Sequence, residues 1–377
     1  MITPDSRMQE TIRYLQAEGF EALVATYHGQ NVFANVFIDS NPVYVLSGVR
    51  PIAESAVVVQ RSGRSTLVVS PAWDAERAAA SSRTDDTLGC DDLAEGLARA
   101  LRSARIDPAK VLTLGLPLLG LALARRIESV LGGARPANES LTNELARVRN
   151  PAELAAARKA TWIAERGYER MREIARPGMR EFELAADLYC HMKELGAEDD
   201  FLLVSASQHN LAVRAAGHRM LDVGDIILSE ITPCYRGQFV QICRTTVIGE
   251  PLPIVREKYE ILKAAMKRGQ AAAVPGTKVG DVANAINDCF REAGYAKYCR
   301  PPYMRVRGHG LGITSDRPGD ISEESNVVLE EGMVFVMHPN QYIPETGYLM
   351  CGEPVLITAS GAQSLSARDA ELDFIPV

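Results

Sequence analysis

Four side chains able to move protons or hold a cation stand at the ends of apolar, strand-like runs in the second half of the chain. Glu230 lies in Ile226-Ile-Leu-Ser-Glu230-Ile-Thr-Pro233 and His309 in Gly308-His309-Gly310-Leu-Gly312. His338 lies in Glu331-Gly332-Met-Val-Phe-Val-Met-His338-Pro339 and Glu353 in Gly352-Glu353-Pro-Val-Leu-Ile-Thr358. A carboxylate on an apolar strand is desolvated, which raises its pKa and costs free energy unless it is partnered. An imidazole changes charge near neutral pH and suits a proton shuttle. Glycines on both sides of His309 let that backbone approach a ligand or another strand closely. Singly, each has an ordinary alternative: Glu230 and Glu353 as acids at a solvated rim, either histidine as a structural residue. On four separate segments of one domain they form a set fit for acid–base or ligand work. A phosphate-binding loop is excluded as the strong reading, because no Lys-Ser/Thr follows the glycines and no long helix opens after them.

The elements that must position these residues fall into two groups. Residues 7–18 read as an amphipathic helix, and Ala22-Leu-Val-Ala-Thr26, Val43-Tyr-Val-Leu46, Ala56-Val-Val-Val59 and Ser65-Thr-Leu-Val-Val-Ser70 as strands punctuated by turns such as Ser62-Gly63. Helical patterns over 91–105 and 119–131 flank an apolar strand at Val111-Leu-Thr-Leu-Gly115. This alternation predicts a compact α/β domain over residues 1–146. Arg147-Val-Arg-Asn-Pro151-Ala-Glu153 is the boundary signal, with Pro151 in a first helical turn and Glu153 where a carboxylate meets a helix N-terminus. Helices from 151 to 174, from 181 to 195, from near 255 to Pro275 and from 279 to 294 then surround the strand-like segments. They predict an α+β domain over 147–377 with a mostly antiparallel sheet.

The chain has 377 residues, enough for two cores, with 46% hydrophobic and 24% charged residues, as in globular proteins. A net charge of -7 without a run of Lys and Arg gives no reason to expect nucleic acid as partner. The apolar stretch 111–124 contains Pro117 and is too short to cross a bilayer, and the N-terminus lacks the order of a secretory signal. Seven scattered cysteines without a C-x-x-C pair read as reduced thiols, so a cytoplasmic setting without membrane association is expected.

The four segments, with Gly224-Asp225, Arg244-Thr245 and Leu329-Glu-Glu-Gly332-Met-Val-Phe335, resemble the creatinase, prolidase and aminopeptidase P superfamily. Tyr44-Val-Leu-Ser-Gly48 and the 147–153 boundary are similar to the N-terminal domain and junction of those proteins, so the resemblance spans essentially the whole chain. It implies a pita-bread catalytic domain and a homodimer in which residues 43–52 approach the partner's site. Peptidases of that superfamily bind two metal ions through two aspartates, one histidine and two glutamates. Here those positions fall on Glu230, Gln241, His309, His338 and, depending on a one-residue shift, Gly352 or Glu353; a second family histidine falls on Asp316.

Two divalent ions need more carboxylates than Glu230 and Glu353, and Glu230 is longer than Asp by about 1.5 Å. A dinuclear centre is therefore not expected. In motif, residues 230–245 look most like the metal-free branch with creatinase and ectoine hydrolase. That likeness implies a hydrolase of a non-peptide C–N bond (amide, amidine or ureido) in a small nitrogenous metabolite, with no cofactor and no metal ligands. Glu230 would be the nucleophile, His309 or His338 the proton shuttle and Glu353 a member of the acid–base set. Gln241, Arg214, Tyr235, Asp316 and His209 are the expected substrate contacts, although His209 and His218 fall out of register with the creatinase histidine. One alternative is an Xaa-Pro peptidase-like hydrolase using one divalent ion at Glu230, His309, His338 and Glu353. The other is an inactive pita-bread binding module.

Overall fold

A computed structural model describes residues 4–28, 41–138, 140–313 and 318–377. The chain divides into two compact units, Met1–Asn150 and Pro151–Val377. The first contains helices α1 (Pro4–Glu18), α2 (Pro42–Ser47), α3 (Ala75–Ala79), α4 (Leu93–Ala104), α5 (Leu121–Leu131) and α6 (Leu141–Ala146). Its strands are β1 (Ala22–Tyr27), β2 (Ser55–Gln60), β3 (Ser65–Val69), β4 (Asp86–Gly89), β5 (Val111–Leu114) and β6 (Arg135–Pro136). They form one sheet in the order β4-β3-β2-β1-β5-β6, antiparallel through β1, β2 and β3 and parallel elsewhere. Leu93, Leu97 and Leu101 recur every fourth residue on α4, and with Ala124, Ile127 and Leu131 of α5 they cover Ala22, Val24, Ala56, Val58 and Val68. This is the α/β unit that the alternation of patterns implies.

Residues 43–46, expected as a strand, are helical. Asn41 accepts the Tyr44 amide at 2.8 Å, Pro42 enters the first turn, and Gly48 closes the helix at φ 76°. Local capping outweighs the β-preference of Val43, Tyr44 and Val45.

The second unit begins with α7 (Pro151–Ile174) and α8 (Glu181–Glu194). Strands β7 (Asp199–Ser207), β8 (Ile226–Tyr235), β9 (Gln238–Phe239) and β10 (Ile242–Ile248) follow. After α9 (Pro253–Ala272) and α10 (Val279–Glu292) come β11 (Gly308–Gly310), β12 (Val334–Met337), β13 (Gln341–Ile343), β14 (Gly347–Leu349), β15 (Glu353–Thr358), β16 (Gly361–Ser364) and β17 (Asp373–Ile375). One sheet runs β17-β10-β8-β7 with β9 beside β8, a second β11-β12-β15-β16, and β13 with β14 forms a hairpin. All pairings but β10 with β17 are antiparallel. Ile163, Met171, Leu184, Leu188 and Met192 of α7 and α8 pack on Val204, Ala206, Ile227, Ile231 and Ile242. Among the described residues no helix is long and apolar enough to cross a membrane.

Candidate active site

Glu230 sits on β8, the strand between β7 and β10, opposite Leu203 and Cys243. Ile227 and Ile231 enter the core under α7 and α8, so strand alternation puts Glu230 on the other face. Burial alone pushes its carboxyl up to about 7.

The two histidines meet across β11 and β12. His309 pairs with Val336, two residues before His338, and cross-strand partners and alternate residues share a face. Their ring centroids lie 5.4 Å apart with the planes at 66°. The pairing requires glycine before His309: Gly308 has φ 143°, and a Cβ there would stand 2.1 Å from the Val336 carbonyl oxygen. His309 Nδ1 lies 3.1 Å from the Gly310 carbonyl, which only accepts, so the proton of the neutral ring rests on Nδ1. His338 is 9% exposed and its Nδ1 has no hydrogen-bond partner. Burial first, then the charge of His309, holds its pKa down at about 3, leaving a neutral ring at physiological pH. Gln241 is buried, donates through Nε2 to Cys243 Sγ at 3.4 Å, and leaves Oε1 without a donor.

The register of β12 and β15 decides between Gly352 and Glu353. Met337 opposes Glu353, so Gly352 shares the face of His338 and Glu353 takes the opposite one. A Cβ on Gly352 would lie 2.7 Å from Cys243 Cβ, 2.8 Å from its Sγ and 3.0 Å from His338 Cβ. The space a glutamate would need there is filled. Paired amides of Cys243 and Gly352, at 3.1 and 3.0 Å, fix this approach. Glu353 lies 2.8 Å from Arg244 Nη2, both side chains 3% exposed, while Arg244 Nη1 donates to the Gly352 carbonyl at 2.7 Å. Burial raises the Glu353 carboxyl to about 7, with the Arg244 charge opposing it.

Of the residues expected from sequence, the fold thus brings together His309 and His338, with Glu230 linked to them through Cys243 and Gly352. Glu353 stands apart against Arg244. His209 is exposed, pairs through Nε2 with the Pro344 carbonyl at 3.0 Å and meets Tyr342 edge-on at 6.0 Å. Arg214 is exposed on the β7–β8 connection, and its backbone amide donates to Ser205 Oγ at 3.1 Å. Tyr235 ends β8, roughly 16 Å along the strand from Glu230. It packs against the hydrophobic core, with Arg236 over its ring at 5.7 Å. Asp316 lies outside the described residues. Sequence patterns gave no signal for Tyr348, a phenol whose pKa burial raises and which lies near enough to Cys243 and Glu230 for their charges to add to the rise. Asn340 was equally silent; its Oδ1 accepts the Cys351 amide at 2.9 Å.

Comparisons with known proteins identify the family and the fold. The model of metallopeptidase family M24 matches residues 155–359. The chain is 31% identical to the Xaa-Pro dipeptidase of Pyrococcus furiosus over 237 residues, 62% of this chain and 67% of that protein. It is 25% identical to the Xaa-Pro dipeptidase of Pyrococcus horikoshii over 355 residues, 93% of this chain and 97% of the relative. The prolidase structure from Pyrococcus horikoshii superposes with a TM-score of 0.83 at 23% identity, covering 97% of this chain and 99% of that one. The fold is therefore the expected one, an N-terminal domain followed by a pita-bread catalytic domain.

These findings correct three expectations. A non-peptide C–N hydrolase is overturned by relatives named Xaa-Pro dipeptidases. Metal independence and the absence of a cofactor are overturned by a match to a metallopeptidase family. The finer likeness to creatinase and ectoine hydrolase gives way with them. The residues present set a limit on the metal. Gln241 and His338 are neutral and Gly352 offers no side chain, so the donor set is short of charge for two ions. His309 and His338 supply imidazoles, a donor type that one borderline ion prefers. Yet among the described residues no three His, Cys, Asp or Glu side chains stand close enough to hold an ion, so no ligand sphere is assigned.

Proposed function

Because the chain belongs to metallopeptidase family M24, we propose that it is a hydrolase of small peptides, of the Xaa-Pro dipeptidase kind, dependent on one divalent cation rather than two. The observation that carries this reading is the match to an Xaa-Pro dipeptidase over 93% of the chain. Gly352 supports the single ion, since its place is closed by Cys243 and His338. Held near His309 and His338, such an ion would supply polarisation of the scissile carbonyl. This chain's residues supply the proton transfers. Glu230, poised at about 7, takes a proton from the attacking water and returns it to the leaving nitrogen. The open Gln241 Oε1 accepts a hydrogen bond from a substrate amide or ammonium. A homodimer in the cytoplasm, where the seven cysteine thiols stay reduced, completes the proposal.

The test is hydrolysis of Xaa-Pro and other dipeptides by chelator-treated protein titrated with Mn2+, Fe2+ or Zn2+. Activity should appear and saturate at about one ion per chain. Glu230→Gln should lower kcat roughly 100-fold or more. Full activity in the presence of excess chelator, or saturation at two ions, contradicts the single-ion reading.

A further inference from the structure

Arg307, two residues before His309, is fully buried and has no role in the chemistry above. Each limb of its guanidinium meets a different neighbour: Nε donates to Asn287 Oδ1 at 2.6 Å, Nη1 to the Asn340 carbonyl at 2.8 Å and Nη2 to Gln341 Oε1 at 2.8 Å. Its plane lies over Phe290, 4.5 Å from the ring centroid. All three acceptors are neutral, and although burial lowers its pKa to about 10, the group is a cation at neutral pH. A buried cation is costly, and apolar residues of similar volume often stabilise a core better. Stability alone is therefore a poor reason for arginine here.

Its connections indicate another reason. The Arg307 carbonyl accepts the His338 amide at 2.9 Å, and its own amide donates to Ile321 at 2.7 Å. Asn340, whose carbonyl it binds, holds the Cys351 amide at 2.9 Å, one residue before Gly352. The backbone at 307 and the guanidinium together join the segments bearing His309, His338 and Gly352.

We propose that Arg307 is a positioning residue: its planar fork clamps the 338–341 segment to the start of β11 and so sets how the two imidazoles face each other. This rests on the peptidase reading only in supposing that both imidazoles serve the reaction. The fork is the reason for arginine, because a lysine ammonium presents a point charge and cannot reach three acceptors in one plane.

Arg307→Lys and Arg307→Met are compared with Leu184→Ala, a core variant on α8, each assayed where thermal unfolding shows it folded. With a dipeptide that the wild type hydrolyses, kcat of both Arg307 variants should fall roughly 100-fold while KM stays within about threefold. Leu184→Ala should keep its kcat despite a lower Tm. In 15N–1H spectra of histidine-labelled protein, two of the six imidazole signals should shift in Arg307→Lys and none in Leu184→Ala. Asn287→Ala, which removes one acceptor, carries the same comparison where an Arg307 variant does not fold. A wild-type kcat and histidine spectrum in folded Arg307→Lys overturns the clamp, as does an equal loss of kcat in Leu184→Ala. If the wild type hydrolyses no dipeptide, the peptidase reading fails and the spectra alone decide the clamp.

Discussion

Gly352 shows how a single residue redirects a site. Its hydrogen atom faces Cys243 and His338 at distances where a methyl group does not fit. Overpacking such a contact costs about 1–3 kcal/mol. Gly352→Ala should lose stability of that order in urea unfolding, and an alanine as stable as wild type would show that the strands can part. Glu353 illustrates the reverse error: its acidic type and apolar strand drew attention in the sequence, but its carboxylate faces Arg244. One step of strand alternation separates these two outcomes. Residue type was legible at every position; side-chain direction was not, because it depends on the register of β12 against β15.

At the level of elements, the period of the apolar residues gave the long helices α7 to α10 nearly to their ends. It failed at α2, where Asn41 and Gly48 close six residues whose composition favours a strand. It was also silent on the consequence of pairing β7 with β8 beside Asp200. Asp200 Oδ1 accepts the Thr232 amide at 3.1 Å, Oδ2 has no partner, and desolvation raises the carboxyl from 3.8 to about 8. The folded protein therefore keeps this proton where the unfolded chain releases it. Stability from this group is complete below pH 4 and is lost as pH rises through 8. Asp200→Asn should be about as stable as wild type at pH 4 and more stable at pH 9, by on the order of 5 kcal/mol. A constant gap between the two melting curves across that range would remove Asp200 as the cause.

For the whole molecule, the family likeness implies a dimer. Sedimentation or light scattering at micromolar concentration should give about twice the chain mass of 41.1 kDa. A monomer mass removes the dimer. The sequence by itself determined the two-unit plan, the pita-bread resemblance and the shortage of carboxylates, because periodicity, caps and residue identity are local properties. It read chemistry from that shortage and arrived at a metal-free, non-peptide reaction, which the Xaa-Pro dipeptidase relatives overturn. Only the tertiary structure decided that Gly352 rather than Glu353 stands beside His338, that the two imidazoles share a face, and that Arg307 lies behind them. Those outcomes depend on strand register and on contacts between residues far apart in the chain, where a shift of one position moves a side chain to the other face of a sheet.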